Sequence, residues 1–191
     1  MDKDINIGFA YCGSFCTLAR VVEQMNILVD LGYNVTPIMS QTTYSTDTRF
    51  GKAQDFIDKI EKKCGKKILH EITEVEPIGP KKLLDLLIIA PCTGNTLAKL
   101  ACGITDTSVT MSAKSQLRNC RPVLIAPSTN DGLTASAKNI GMLLNNKNIF
   151  FVPYEQDDPI NKKSSIVAIF DLIPKALEAA LEGQQLQPII R

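Results

Sequence analysis

Apolar residues at every second position predict a β-strand over residues 5–11, near the start of the chain. A turn that contains Gly13 and Ser14 interrupts this alternation. Apolar residues then recur at helical spacing over residues 18–29, and Gly32 provides a stop signal. The chain therefore opens with a strand, a tight glycine turn and a helix.

The same two spacings alternate along the rest of the chain. Further strands are predicted at residues 33–39, 68–72, 86–90, 123–126 and 148–153, helices at 50–64, 95–102, 108–117, 135–144 and 166–181, and surface loops at 40–47 and 156–164. Strands that alternate with helices predict an α/β, doubly wound, three-layer fold of the Rossmann-like or flavodoxin-like type, with a mostly parallel six-stranded sheet. We assign residues 1–183 to a single domain and residues 184–191 to a C-terminal tail.

Composition excludes several classes of function. The chain has 21 Lys and Arg against 20 Asp and Glu, a net charge of +1, and only 6% aromatic residues. A nearly neutral chain with few stacking side chains is not typical of nucleic-acid binding. Because the longest apolar stretch is too short to cross a bilayer, and the N-terminus lacks a signal-peptide core, we expect a cytoplasmic protein that binds no membrane.

The six cysteines form no Cys-x-x-Cys pair, and His70 is the single histidine. This spacing predicts no metal site and favours reduced, mostly buried thiols. His70 is a candidate general base only because it is alone, since it lies on a weak predicted strand away from the other candidate residues. Cys92 has no histidine or second cysteine near it in sequence, which argues against a nucleophilic role.

Three loops leave central strands at one edge of the predicted sheet, at residues 12–15, 91–95 and 127–130. All three are rich in small, hydroxyl or amide side chains. In doubly wound sheets, ligands bind at the carboxyl ends of the strands. The convergence of these loops therefore predicts a ligand site at this edge.

Gly13 and Ser14 lie where a phosphate would meet the amides that open the first helix. The alternative is that Ser14 only caps the helix. The dinucleotide fingerprint is absent, because the next glycine after Gly13 is Gly32, and this favours a single phosphate. Hydroxyls of Ser40 and Thr42 could contribute to the same anion site, or could simply belong to a solvated loop.

The second loop offers side chains that can hydrogen-bond a flat polar ring or a sugar chain. Thr93 and Asn95 carry these groups, and Asn95 is alternatively a helix cap. The third loop repeats this design around Thr129 and Asn130, with a local Asx or Ser/Thr turn as its alternative.

Residues 90–106, Ala-Pro-Cys-Thr-Gly-Asn-Thr onward, resemble the Pro-Ala-x-Ala-Asn-type motif of the FMN-binding flavoprotein family, which includes the homo-oligomeric flavin-containing cysteine decarboxylases. The turn Gly13-Ser14-Phe15 resembles the phosphate loop of that family. The resemblance implies FMN as cofactor and a homo-oligomer built from trimers with flavin between protomers. It implies cofactor-binding roles for Gly13, Ser14, Phe15, Ser40, Thr42, Pro91, Thr93 and Asn95.

The resemblance also implies catalytic or substrate-recognition roles for Asn130 and Thr129. Relatives carry a Pro-x-Met-Asn motif where this chain has residues 127–130, so Asn130 is retained and Thr129 replaces the methionine. The histidine motif of the decarboxylases has no convincing match. Both departures point away from decarboxylation of a cysteinyl substrate.

Four further segments, at residues 76–83, 110–114, 128–133 and 152–159, resemble one branch of this family. The resemblance implies an oxidoreductase that works with a larger partner protein on a small dicarboxylate, a hydroxylated tetrahydrodipicolinate, and yields dipicolinic acid in the mother-cell cytoplasm of a sporulating bacterium. Lys114, Arg118 and Arg121 are candidate carboxylate-binding residues. Two alternatives stay open: a non-catalytic scaffold for a nicotinamide-dependent partner, and a phosphopantothenoylcysteine-type decarboxylase.

Overall fold

A seven-stranded mixed sheet forms the centre of the protein in the computed structural model, which describes residues 4–191. The strands are β1 (Asn6–Tyr11), β2 (Asn34–Met39), β3 (Leu86–Cys92), β4 (Val123–Thr129), β5 (Ile149–Phe151), β6 (Tyr154–Asp158) and β7 (Lys162–Ala168). Strands β1 to β5 pair in parallel in the order β2-β1-β3-β4-β5. The carboxyl end of β4 also pairs with β7, and β6 pairs with β7, both antiparallel.

Eight α-helices surround the described sheet. They are α1 (Phe15–Asp30), α2 (Gln41–Ser45), α3 (Ala53–Cys64), α4 (Ile72–Val75), α5 (Gly94–Ala101), α6 (Ser108–Leu117), α7 (Ala137–Leu144) and α8 (Ile173–Leu181). None of these helices is both long and apolar enough to cross a membrane. The alternating order of strands and helices confirms the predicted α/β, Rossmann-like fold.

Two apolar cores, one on each face of the sheet, hold the three layers together. Helices α1, α3 and α8 contribute to one core, and α5, α6 and α7 contribute to the other. Strand β3 supplies both, since Leu86 and Ile88 face the first core while Leu87 and Ile89 face the second. Burial on both faces explains why this strand is apolar throughout.

The sheet has seven strands and not the predicted six, because one predicted strand lies outside it and two of its strands, β6 and β7, were not predicted. The predicted strand at 68–72 forms only an isolated bridge, between Leu69 and Ile38, and helix α4 begins at Ile72. A capping box between Glu71 and Glu74 starts that helix and ends the extended backbone. The predicted loop at 40–47 contains the short helix α2.

The predicted loop at 156–164 is a β-hairpin, and the predicted helix at 166–181 begins only at Ile173. Asp158 closes the hairpin turn, because its carboxylate accepts hydrogen bonds from the backbone and side chain of Asn161. Ile166 and Ala168 are buried on β7, so their hydrophobicity serves a strand and not a helix. The hairpin extends the carboxyl end of β4 and forms one wall of the site described below.

The C-terminal residues 184–191 lie against the sheet. The side chain of Gln185 donates to the carbonyl of Phe151 and accepts from its amide, at 2.7 and 2.8 Å. Ile190 forms a parallel bridge with Tyr154. Residues 1–3, which the predicted domain includes, lie outside the described residues.

Candidate functional site

A cleft of about 640 Å³ lies at the carboxyl ends of β1, β3 and β4. Its walls come from the start of α1, the β4 end, the β6–β7 hairpin and the turn before α3. Six of the residues predicted from the sequence line it, namely Gly13, Ser14, Phe15, Thr93, Thr129 and Asn130. The three loops that the sequence placed at one edge therefore do meet there.

Three hydroxyl groups form a cluster at the base of this cleft. The Ser14 and Ser128 hydroxyl oxygens lie 2.9 Å apart, and the Thr17 hydroxyl lies 3.1 Å from Ser14 and 3.4 Å from Ser128. The Thr17 hydroxyl also donates to the carbonyl of Ser14 at 3.0 Å. This hydroxyl cluster joins the first turn of α1 to the end of β4, so it ties together two loops that are far apart in sequence.

Of the five described helices that a Ser or Thr precedes, only α1 and α7 lack a hydroxyl cap, and the Ser136 hydroxyl before α7 donates to Asp131 instead. Ser14 precedes the helix but accepts no hydrogen bond from its first turn, and that turn contains no acidic residue. Ser40, Thr93 and Thr107 do cap α2, α5 and α6 through their hydroxyls. The first amides of a helix have no partner within it and carry the positive end of its dipole. The start of α1 can therefore bind an anion.

Positive charge dominates the cleft. Arg20, Arg49 and Lys162 line it together with one carboxylate, that of Asp157. Lys162 and Asp157 pair at 2.7 Å, and this hydrogen bond raises the pKa of Lys162. The net charge of +2 on these four side chains favours an anionic ligand.

A second polar group, which we call the Asp131 cluster, holds the end of β4, where Thr129 lines the cleft. The Asp131 carboxylate accepts hydrogen bonds from Thr129 at 2.5 Å and from Ser136 at 2.9 Å. Because the Thr129 proton points to Asp131, Thr129 presents only acceptor lone pairs to the cleft. Gly94 packs so closely that an added Cβ would lie 2.7 Å from oxygens of all three residues.

Asn130 is oriented by the β7 strand. The Ser165 hydroxyl lies 3.3 Å from the Asn130 side-chain oxygen, and 3.4 Å from both the Thr129 carbonyl and the Asp157 carboxylate, so these three acceptors share one donor. The amide nitrogen is left as a hydrogen-bond donor, suited to a carboxylate or carbonyl oxygen.

Four of the predicted cofactor residues do not line the cleft. Pro91 is buried inside β3, and Ser40 caps α2 beside the Gly13 turn. Thr42 is exposed on α2, and Asn95 is exposed in the first turn of α5. Thr93, not Asn95, caps that helix, through a hydrogen bond from the Thr96 amide. A binding role for these four residues stays a prediction.

The remaining sequence candidates lie elsewhere. His70 stacks on Tyr44 with the ring centroids 3.8 Å apart, outside the cleft. Cys92 is fully buried, and burial raises the pKa of its thiol well above the ordinary value. Lys114 and Arg118 border a separate, mainly apolar cavity of about 310 Å³. In residues 4–191, no group of three or more His, Cys, Asp or Glu side chains is placed to hold a metal ion.

The sequence analysis missed several cleft residues, among them Thr17, Arg20, Arg49, Phe50, Asp157, Lys162 and Ser165. Three of them belong to the β6–β7 hairpin, which was interpreted as a loop. A signal was present, because an Asp-Pro turn sequence at residues 158–159 is followed by Ile166 and Ala168 at alternating positions. Thr17 lies on α1 one turn after the predicted phosphate loop, where helical spacing alone could have placed it.

Comparison with known proteins gives a consistent family. The Flavoprotein family model matches residues 1–178. The chain is 46% identical over 188 residues to dipicolinate synthase B, a component of that enzyme in Bacillus subtilis (strain 168), covering 98% of this chain and 94% of that protein. The crystal structure of dipicolinate synthase B from Bacillus halodurans C superposes with a TM-score of 0.92 at 43% identity, covering 100% of this chain and 98% of that one.

A more distant structure shares the fold. The FMN-dependent cysteine decarboxylase SpaF superposes with a TM-score of 0.69 at 18% identity, covering 94% of this chain and 97% of that one. The matching family model spans most of the chain, and the two dipicolinate synthase relatives cover nearly all of it. This chain belongs to the Flavoprotein family.

Proposed function

We propose that this protein is dipicolinate synthase B, the FMN-binding component of that enzyme. It acts with its partner, dipicolinate synthase A, to convert a hydroxylated tetrahydrodipicolinate to dipicolinic acid in the mother-cell cytoplasm during sporulation. The similarity to two proteins of that name over nearly the full chain supports the assignment to this enzyme. The single structural observation that carries the cofactor is the cationic, hydroxyl-lined cleft at the uncapped start of α1.

The residues present fit the phosphate of a mononucleotide. The amides of the first turn of α1 and the Ser14 hydroxyl can all donate to phosphate oxygens. Arg20 lies on the same helix and lines the same cleft. A Cβ added at Gly13 would lie 3.4 Å from the Phe15 ring, so the Phe15 side chain packs close to the backbone of this turn.

The reaction requires loss of water and removal of two electrons from the substrate ring. A bound flavin supplies a two-electron acceptor. The work of the protein is then to hold an anionic substrate beside the cofactor and to fix its orientation. Asn130 offers a donor and Thr129 offers an acceptor, and both are held by the neighbours described above.

The proposal includes a homo-oligomer built from trimers. One chain exposes apolar side chains, such as Ile104 at the rim of the 310 Å³ cavity. Association with other copies would cover this apolar surface. Sedimentation measurements on the purified protein test this part, and a monomer at all concentrations would contradict it.

Titration of the purified chain with FMN tests the cofactor. We expect a change in the visible flavin absorbance and quenched flavin fluorescence. If neither the absorbance nor the fluorescence changed at saturating FMN, the FMN assignment would be overturned.

A second assay tests the enzyme. Formation of dipicolinic acid is measured with dipicolinate synthase A on its own and again after this protein is added. We expect product only when both proteins are present. Full product formation by the partner on its own would contradict a catalytic role and would favour the scaffold.

A further inference from the structure

A tight turn places two side chains at the mouth of the cleft. Residues 48–51 form it, and its tip residues, Arg49 and Phe50, both line the cleft. Neither residue belongs to the strand ends that predicted the site, and neither contributes to the hydroxyl cluster or the Asp131 cluster.

The turn has a defined shape. The amides and carbonyls of Thr48 and Gly51 bond reciprocally at 3.0 and 3.1 Å, and the Thr48 hydroxyl accepts from the Phe50 amide at 3.2 Å. Gly51 has a φ of +145°, and an added Cβ would lie 2.8 Å from the Phe56 ring. Just before the turn, the Asp47 carboxylate accepts from the amide of the first residue of α3 at 2.8 Å. The turn is thus anchored at both ends.

Arg49 carries a charge that no carboxylate of the described residues neutralises. Across residues 4–191, no ion pair or hydrogen bond is formed by its guanidinium, which lies 4.9 Å from the centroid of the neighbouring Phe50 ring. Lys162, on β7, is already paired with Asp157 at 2.7 Å. Arg20 lies on α1, beside the proposed phosphate end, with its guanidinium over the Phe170 ring. Arg49 is therefore the cation at the mouth that is free to bind a second anion.

Phe50 complements this charge. It is 46% exposed although it borders a cavity. An aromatic face beside a guanidinium suits a flat ring that bears a carboxylate, because the ring can pack on Phe50 while the planar guanidinium binds the carboxylate through two hydrogen bonds.

We propose that Arg49 binds one carboxylate of a planar ring dicarboxylate and that Phe50 packs against its ring, which makes this turn the element that selects a diacid over a monoacid. The identity of the ligand class rests on the proposed function. The placement of the free cation at the cleft mouth does not.

The test uses the full-length protein, with and without FMN, in metal-free buffer. Pyridine-2,6-dicarboxylate and pyridine-2-carboxylate are titrated by calorimetry into the parent protein and into Arg49→Gln, Arg49→Lys and Phe50→Leu. The parent should prefer the diacid by about tenfold or more, as expected for one charge-assisted contact. In Arg49→Gln the ratio of the diacid affinity to the monoacid affinity should fall close to one, and in Arg49→Lys it should fall only in part. Phe50→Leu should lower the affinities for both acids by a similar factor.

Arg20→Gln is the matched control. It removes the same charge from the other end of the cleft, so it should weaken FMN while it leaves the diacid preference unchanged. Because Arg49 is exposed, Arg49→Gln should unfold at the same temperature as the parent.

Three results would overturn the proposal. They are a parent protein with no preference for the diacid, an Arg49→Gln variant that keeps the preference, and an Arg49→Gln variant that loses FMN affinity and not the diacid preference. The last result would make Arg49 a phosphate ligand. Failure of the proposed cofactor shows separately, as an absence of FMN binding by the parent, while the titrations without FMN still report on Arg49.

Discussion

Replacement of Ser14 tests the anion site where the structure is most specific. Ser14→Ala removes one hydroxyl donor from the proposed phosphate. A hydrogen bond to a charged group contributes about 1.5–3 kcal/mol, which corresponds to a roughly 10- to 150-fold weaker affinity for FMN. The fold should tolerate the change, because two hydrogen bonds of the Thr17 hydroxyl remain. One is to the Ser128 hydroxyl at 3.4 Å, and the other is donated to the backbone carbonyl of residue 14.

Ser14→Asp should have a larger effect. It replaces the donor with a carboxylate at the same position, facing the phosphate. Two like charges about 4 Å apart repel by roughly 4 kcal/mol at the effective dielectric of a protein surface. With the lost hydrogen bond added, FMN binding by this variant should become undetectable at micromolar concentrations.

Flavin fluorescence quenching and equilibrium dialysis both measure these affinities. Ser45→Asp is the control, since it adds the same charge on an exposed residue of α2 that does not line the cleft. Thermal unfolding of each variant shows that the fold is intact. If Ser14→Asp bound FMN as tightly as the parent and Ser45→Asp, the phosphate could not lie at the start of α1.

Three further predictions concern packing and ionisation. Gly94→Ala should destabilise the protein by about 1–3 kcal/mol and weaken ligand binding, because the new Cβ would lie 2.7 Å from three oxygens of the Asp131 cluster; unchanged urea unfolding would contradict this. Gly132→Ala should destabilise it at least as much, because its Cβ would lie 2.3 Å from Ile166; a calorimetric melting temperature equal to that of the parent would argue against it. Burial raises the pKa of Cys64 to about 11 from 9.0, so the unfolded chain ionises first and the free energy of unfolding should fall between pH 9 and 11. Cys64→Ala should make that fall shallower in urea titrations, and an equal slope would refute the assignment.

The parts of the fold that the sequence predicts well depend on strong local patterns. The buried strands β3 and β4 stand out because each is a continuous apolar run, and α1 stands out because its apolar positions recur at helical spacing. Once these elements alternate, the topology of parallel sheets brings their carboxyl ends together. This is why Ser14, Thr93 and Asn130 could be placed at one edge without coordinates.

The local pattern gives only a weak signal for the β6–β7 hairpin. Strand β6 carries charged, exposed residues, and β7 begins with two lysines, so both segments have the composition of a loop. They are strands because β7 pairs with the end of β4, far away in sequence. That tertiary pairing also brings Lys162 and Ser165 to the cleft.

Contacts between segments that are distant in sequence could not be predicted from local patterns. The Ser14–Ser128 hydroxyl pair joins residues 114 positions apart, and the Gly94 contact with the Asp131 cluster depends on the packing of α5 against β4 and α7. Residue type suggested caps and turns at these places. The structure instead directs Ser14 away from capping and into the cleft.

A crystal structure of the protein with FMN tests the central claim most directly. The account predicts the phosphate within hydrogen-bond distance of the first amides of α1 and of the Ser14 hydroxyl, with the rest of the molecule in the cleft between β4 and the β6–β7 hairpin. Flavin bound at another surface, with its phosphate away from the start of α1, would contradict it.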